Sequence, residues 1–385
     1  MYVNQGHYHI DSGGMRMSQV ILSGTDSYQQ IASILTRLQS EKYLLVCDSS
    51  FSYLNIHDYF TELQTPCVVF DDFTSNPLYE DVCKGVDLFR AKKCDAIVAV
   101  GGGSTLDVAK CIKLFCNMDS EQNYLTQEYR DSGVPLIAIP TTAGTGSEST
   151  RYAVIYYEGK KQSVTHESII PDYAILEASV LKTLPLYQKK CTMLDALCQG
   201  IESWWSVNST EESKKFSKTA VKMIMRNKDA YIQDNTAEAA AKIMLAANYA
   251  GRAINITQTT AAHAMSYKLT SMYQLPHGHA VAVCLPEVWS YMTGHAEKCI
   301  DERGAEYLCG IFNDISEALG CKNAVESICL FRSILAELDM KYPVAVEREA
   351  ELELLTQSVN PIRLKNNPVS LDNSTIHELY ERIVK

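Results

Sequence analysis

Long apolar runs are missing from this 385-residue chain: nothing approaches the roughly 18 consecutive apolar residues of a membrane-crossing helix. Positive charge is also scarce. With 35 Lys and Arg against 46 Asp and Glu, the formal net charge is −11. That balance argues against nucleic acid and against anionic membrane surfaces, both of which reward basic patches. It does not exclude a small anionic ligand, because the local charge of a site can oppose the global one. The thirteen cysteines include no CxxC pair and are odd in number. Free thiols in a reducing cytoplasm are therefore expected rather than a disulfide framework. Residues 1–18, "MYVNQGHYHIDSGGMRMS", lack the apolar central segment of a secretory leader and read as an N-terminal extension.

What is present has the texture of an ordinary soluble protein, 46% hydrophobic and 21% charged, and its length suggests two domains. In the first half, "KYLLVCD" (42–48), "CVVFDD" (67–72), "DAIVAVGGG" (95–103) and "PLIAIPTT" (135–142) are short apolar runs ending in turn residues. Helical patterns such as 26–39 and 78–93 separate them. Apolar strands alternating with helices predict βαβ units and a parallel sheet covered on both faces. After about residue 180 the strand-like runs stop and long helical patterns such as 236–255 and 324–340 take over, with Pro185 opening the next helix. The expected organisation is an α/β fold: a Rossmann-like parallel-sheet domain over 19–182 followed by an all-helical domain over 183–385.

Two loops stand at strand ends. "IVAVGGGSTLDVAK" (97–110) is a strand, a glycine turn and a helix start. Gly101, Gly102 and Gly103 let the backbone pass close to an anion, and the helix N-terminus offers free amides. A plain tight turn is the alternative, and Ser104 with Asp107 three residues on reads as a capping box. The spacing is not GxGxxG. In "IPTTAGTGSEST" (139–150), Thr141, Thr142 and Thr145 can bond ribose or phosphate oxygens, although such a run also suits a solvated loop. Both loops fall on the edge where open α/β sheets bind ligands. Asp48 ends the first strand, where it can bond a ribose hydroxyl and repel a 2′-phosphate, so NAD(H) is favoured over NADP(H).

The helical half carries a second constellation. In "MLDALCQGIESWW" (193–205), Asp195 and Gln199 stand four apart on an apolar helix and share one face. "AAHAMSYKLTSMYQLPHGHAVAVCLP" (261–286) adds His263, His277 and His279, with Tyr267 four residues after His263. Each polar residue alone suits a satisfied core position. Taken together, Asp195, Gln199, His263 and His277 suit divalent iron or zinc, because carboxylate and imidazole are donors of that kind.

At this point the chain resembles the iron-containing alcohol dehydrogenases. "DAIVAVGGGSTLDVAK", "IPTTAGTGSE", "LDALCQGIES" and "HAMSYKLTSMYQLPHGHAVAV" occur in that family's order and spacing, from about residue 19 to the end. The resemblance implies a dehydroquinate synthase-like fold, bound NAD(P)(H), Fe(II) or Zn(II), and interconversion of alcohols and aldehydes by a homodimer or larger homo-oligomer. Its metal ligands are an aspartate, a histidine four residues on, and two histidines fourteen apart. Asp195, His263 and His277 match, while Gln199 replaces a histidine. The amide oxygen could bind the metal weakly or hold a water on it, or the metal could be lost altogether. Tyr267 departs from the family too, standing where fuller members carry a proton-relaying histidine. Tyr267 or His279 is then the expected proton carrier.

These departures look most like the branch containing phosphonoacetaldehyde reductases, which implies a phosphonate-bearing aldehyde reduced to a primary alcohol. Arg151, Lys161, Arg252, Lys268 and His279 flank the motifs as candidates for the phosphonate, Arg151 and Lys268 foremost, and Lys161 also matches a family lysine near the cofactor. Two other readings stay open: reduction of uncharged short aldehydes, and a sugar-phosphate cyclase-like lyase of the same fold that uses NAD only transiently. A catalytically silent protein with an eroded metal site is a third.

Overall fold

The computed structural model describes residues 19–385 and, before them, the short strands β1 (Tyr2–Asn4), β2 (Tyr8–Asp11) and β3 (Gly14–Met17). The expectation of an extension over 1–18 otherwise lies outside the described residues. Two compact units emerge: residues 1–184 with 235–245, and residues 185–234 with 246–385.

The first unit contains the remaining strands, β4 (Val20–Ser23), β5 (Tyr43–Cys47), β6 (Cys67–Phe70), β7 (Ala96–Gly101), β8 (Leu136–Pro140), β9 (Tyr152–Tyr157), β10 (Lys160–Thr165) and β11 (Tyr173–Leu176). Helices α1 (Gln30–Arg37), α2 (His57–Glu62), α3 (Tyr79–Lys92) and α4 (Gly103–Phe115) lie between them. Seven strands form one sheet in the order β1-β4-β11-β8-β7-β5-β6, parallel except for the antiparallel edge strand β1. The central strands β5, β7 and β8 are buried along their whole length, which is why they read as uninterrupted apolar runs. One face packs on α3 and α4 through Val82, Val86, Phe89, Val108, Ile112 and Phe115. Strands β9 and β10 pair as a separate hairpin whose turn uses Glu158 at φ 50° and Gly159 at φ 70°.

The second unit is helical. Its elements are α5 (Leu186–Trp205), α6 (Glu211–Asp229), the end of α7 (Ala237–Thr257), α8 (Ala261–Tyr273), α9 (His277–Gly294), α10 (Gly304–Leu319), α11 (Ala324–Glu337), α12 (Arg348–Ser358), the short α13 (Pro361–Leu364) and α14 (Asn373–Ile383). Pro185 is the N-cap of α5, and Pro276 that of α9. From Met193 to Trp205, α5 is buried on every side, so the polar residues of that stretch have no water to turn to. No helix among the described residues is long and apolar enough to cross a membrane.

Candidate active site

In the first unit, the carboxyl ends of β5, β7 and β8 bring the two loops together. Thr141 N donates to Gly101 O at 3.0 Å. None of Gly101, Gly102 and Gly103 has a positive φ, so these glycines serve close approach rather than an unusual turn. A Cβ on Gly101 would collide with the Thr105 side chain, and one on Gly103 would stand 3.0 Å from Thr145 Cγ2. The expected capping box does not form. Gly102 is the N-cap of α4 and supplies no side chain. Ser104 Oγ donates instead to Ser75 O, and Asp107 accepts from Ser147 Oγ at 2.9 Å and Val154 N at 3.0 Å. The α4 N-terminus therefore keeps its first amides clear of side-chain caps, as an anion site requires. Asp48 Oδ2 accepts from Thr105 Oγ1 at 3.0 Å, which ties the strand-end carboxylate to the same turn. Lys110, buried beneath the second loop, donates to Ser147 Oγ, Thr150 Oγ1 and Tyr152 O.

In the second unit, α5, α8 and α9 converge. Ligand atoms of Asp195, His263 and His277 all lie within 4.8 Å of one another. His263 Nε2 stands 3.4 Å and His277 Nε2 3.9 Å from Asp195 Oδ1. Gly278 makes this approach possible, because a Cβ there would collide with Cys191 O on α5 and lie 2.9 Å from Asp195 Cβ. Asp195 Oδ1, Gln199 Oε1 and His263 Nε2 are buried without hydrogen-bond partners. Other buried atoms of the described residues, such as Tyr43 OH and Trp289 Nε1, also lack a partner, but here carboxylate, amide and imidazole ligand atoms are left open close together, which fits a cation. Gln199 stands one turn after Asp195 on α5, and its open carbonyl oxygen is a donor a cation can use. The residues present thus fit a divalent metal. Burial alone would raise the Asp195 carboxyl, but the facing imidazoles hold it below its ordinary value. Burial alone would lower His263, but the Glu202 and Asp195 carboxylates raise it to about 9.

Glu202 escaped the sequence reading. It is fully buried, and its Oε1 accepts from Thr260 Oγ1 at 2.6 Å and from the amides of Thr260, Ala262 and His263 at the start of α8. Its Oε2 meets His263 Nδ1, fixing that nitrogen as the protonated one and turning Nε2 toward Asp195. The signal available in the sequence was its spacing, seven residues after Asp195 on the same helix face.

Tyr267 reaches the site as well: its ring stacks on His277 at a centroid distance of 6.0 Å, 11° from parallel. Its hydroxyl shares a hydrogen bond with Thr259, and burial raises it above the ordinary phenol value. His279 does not join it. Two residues after His277 on α9, it points elsewhere. Its Nε2 donates to Lys341 O at 2.9 Å, which leaves Nδ1 to accept from Tyr187 OH at 2.7 Å. Both nitrogens are engaged in holding α9 to its neighbours, so the proton-carrier expectation moves to Tyr267 alone.

The cations expected to meet a phosphonate also separate. Arg151 pairs with Glu167 and stacks over the Tyr152 ring. Arg252 lies 4.0 Å over the Phe216 ring. Arg151 thus has a carboxylate partner, and Arg252 lies against an aromatic face. Lys161 lies on β10, where its charge acts on Asp107. Lys268 is half-buried on α8, next to Tyr267.

Comparison with known proteins agrees with this architecture. The sequence model for the iron-containing alcohol dehydrogenases matches residues 18–178, and that for the C-terminal part of the same family matches 190–384. The chain belongs to the iron-containing alcohol dehydrogenase family and is an enzyme. Phosphonoacetaldehyde reductase of Streptomyces viridochromogenes is 32% identical over 329 residues, covering 82% of each chain. Two solved structures share the fold. Sulfoacetaldehyde reductase from Bifidobacterium kashiwanohense, in complex with NAD+, superposes with a TM-score of 0.84 at 23% identity, covering 94% of this chain and 96% of that one. An iron-containing alcohol dehydrogenase from Thermococcus thioreducens gives 0.85 at 24% identity, covering 95% and 98%.

Proposed function

We propose that this enzyme reduces a small aldehyde to a primary alcohol with NADH and a divalent metal, and that the aldehyde is phosphonoacetaldehyde, giving 2-hydroxyethylphosphonate. The observation that carries the reading is the grouping of Asp195, His263 and His277 ligand atoms within 4.8 Å of one another, with the buried Asp195 Oδ1, His263 Nε2 and, one turn along α5, Gln199 Oε1 lacking hydrogen-bond partners. Asp195, His263, His277 and Gln199 would hold Fe(II) or Zn(II), which supplies Lewis-acid polarisation of a carbonyl when bound. Gly101–Ser104 with Thr141, Thr142 and Thr145 would hold the cofactor's phosphates and ribose. Asp48 favours NAD(H), because its charge opposes a 2′-phosphate. The relative from Streptomyces viridochromogenes supports the choice of substrate. Free cysteines support a cytoplasmic setting, and the family supports a homodimer or larger assembly.

In balance, the aldehyde and NADH with one proton give the alcohol and NAD+. The proton falls to Tyr267. A phenol raised by burial is a weak acid, suited to giving its proton to a strongly basic alkoxide and unsuited to removing one from an alcohol near neutrality. Reduction is therefore the favoured direction.

The test is NADH oxidation by anaerobically purified protein supplied with Fe(II) or Zn(II), comparing phosphonoacetaldehyde with propionaldehyde. Stoichiometric NADH loss with preference for the phosphonate is expected. Turnover of propionaldehyde alone would overturn the substrate. Product formed without net NADH loss would replace the reductase with a cyclase-type lyase.

A further inference from the structure

Arg363 was not among the residues singled out from the sequence, and it is the arginine whose surroundings call for a ligand. It lies in α13, a single turn fixed at its start by Pro361 and by Asn360 Oδ1, which accepts from Ile362 N at 2.9 Å. Just beyond it, Asn366 Nδ2 donates to Gln258 Oε1 at 3.1 Å and to Thr259 O at 3.2 Å, stapling the turn to the link between α7 and α8. Gln258 takes a left-handed backbone, φ 59°, and its Oε1 also accepts from Arg363 Nη1 at 3.1 Å. That is the one hydrogen bond the guanidinium makes among the described residues. The other four of its five N–H groups have no acceptor among the described residues. No carboxylate among the described residues pairs with it, in a chain whose acids outnumber its bases by 46 to 35.

A partly exposed guanidinium with no carboxylate partner among the described residues has N–H groups free for a ligand, and its planar fork matches two oxygens of a tetrahedral oxyanion. Its location matters as well. Thr259, held by Asn366, shares a hydrogen bond with Tyr267, and the Tyr267 ring lies on His277. The Arg363 charge acts directly on that phenol. The cation thus lies close to Tyr267, whose ring rests on His277, and is held to the link that leads into the helix carrying His263.

We propose that Arg363 binds the anionic end of the substrate, a phosphonate or sulfonate on the carbon next to the aldehyde, and so sets selectivity for charged over uncharged aldehydes. This rests on reading the cluster as a reductase site. Arg363 takes that role in place of Arg151, which already pairs with the Glu167 carboxylate. Lysine would restore the charge without the fork, so it serves as a graded control.

The experiment uses Arg363→Leu and Arg363→Lys beside the wild type, with two readouts. Ethylphosphonate is titrated calorimetrically into the metal-free proteins, and kcat/KM is measured for phosphonoacetaldehyde, sulfoacetaldehyde and propionaldehyde on the metal-loaded ones. Arg363→Leu is expected to weaken ethylphosphonate binding and to lower the charged-to-uncharged selectivity ratio by about 10- to 100-fold each. Arg363→Lys should recover part of both. Equal ethylphosphonate binding by wild type and Arg363→Leu, or none by the wild type, would overturn the proposal while leaving the reductase reading intact. Arginine-dependent binding in a protein that oxidises NADH with no aldehyde would overturn the reductase reading and keep the anion site.

Discussion

Glu202 and His263 are joined twice, once through the imidazole Nδ1 and once through the amide of His263 itself, which donates to Glu202 Oε1 at 3.4 Å. One carboxylate therefore anchors the start of α8 and sets the tautomer of a proposed metal ligand that this helix carries. Four donors besides the imidazole surround its buried oxygens, and they offset the cost of removing the charge from water.

Glu202→Gln keeps the shape and the capping oxygen but removes the charge behind His263. Zinc affinity is expected to fall about 10- to 100-fold, the usual effect of losing such an outer partner. In the metal-free protein, the His263 pKa should drop from about 9 toward the ordinary imidazole value. Chelator competition reads the first and histidine NMR the second. Unchanged values in both would reduce Glu202 to a helix cap.

Gly278→Ala probes how closely α9 approaches α5. The added methyl meets a backbone oxygen, that of Cys191, which cannot swing aside as a flexible side chain could. Overpacking of this kind costs about 1–3 kcal/mol, and here the strain displaces His277 from Asp195. Thermal unfolding should show the destabilisation, and zinc titration a loss of affinity larger than stability alone explains. A variant as stable and as zinc-tight as the wild type would show that the helices can separate without cost to the site.

The sequence was most legible where burial is complete. Strands β5, β7 and β8 fall inside the runs expected for them, because a strand covered on both faces admits few polar residues; the edge strand β6 also falls inside its apolar run, although Cys67 and Val69 are exposed. The β9–β10 hairpin was not legible: "YAVIYYEGKKQSVT" is half-exposed, so its alternation is blurred. The Ser104–Asp107 spacing imitates a capping box, yet Asp107 is claimed by Ser147 and Val154, partners about forty residues away that no local pattern reveals. Glu202 and Arg363 were hard to single out for the same reason. Apart from the spacing of Glu202 from Asp195, a glutamate in a helix and an arginine in a single helical turn look solvated until tertiary structure shows five contacts around one and no carboxylate beside the other.

Gln199→His would place an imidazole where an amide oxygen now stands unpaired. Imidazole nitrogen is the better donor for zinc or iron, so affinity should rise by about tenfold or more. The gain is expected without loss of the fold, since Gln199 Oε1 makes no hydrogen bond and the amide's contact with the Asp195 carboxylate is one that the imidazole, or the metal it helps bind, can replace. Unaltered affinity, measured by chelator competition, would place Gln199 outside the coordination sphere and make it a holder of water.

Metal binding and protonation should compete at His263. Its imidazole is raised to about 9 in the metal-free site, so near neutrality Nε2 carries a proton that an incoming cation must displace. Apparent zinc affinity is therefore expected to climb about tenfold per pH unit as pH rises toward 9, then level off. The metal-free protein should behave in the opposite sense. A histidine with a raised native pKa lends stability that is fully present below its unfolded value of about 6.5 and is lost as pH rises through the native value. Zinc titrations and thermal unfolding from pH 6 to pH 10 would show the two slopes with opposite sign. A zinc affinity independent of pH across that range would mean that His263 binds no proton at Nε2, and the Glu202–His263–Asp195 alignment would need a different electrostatic account.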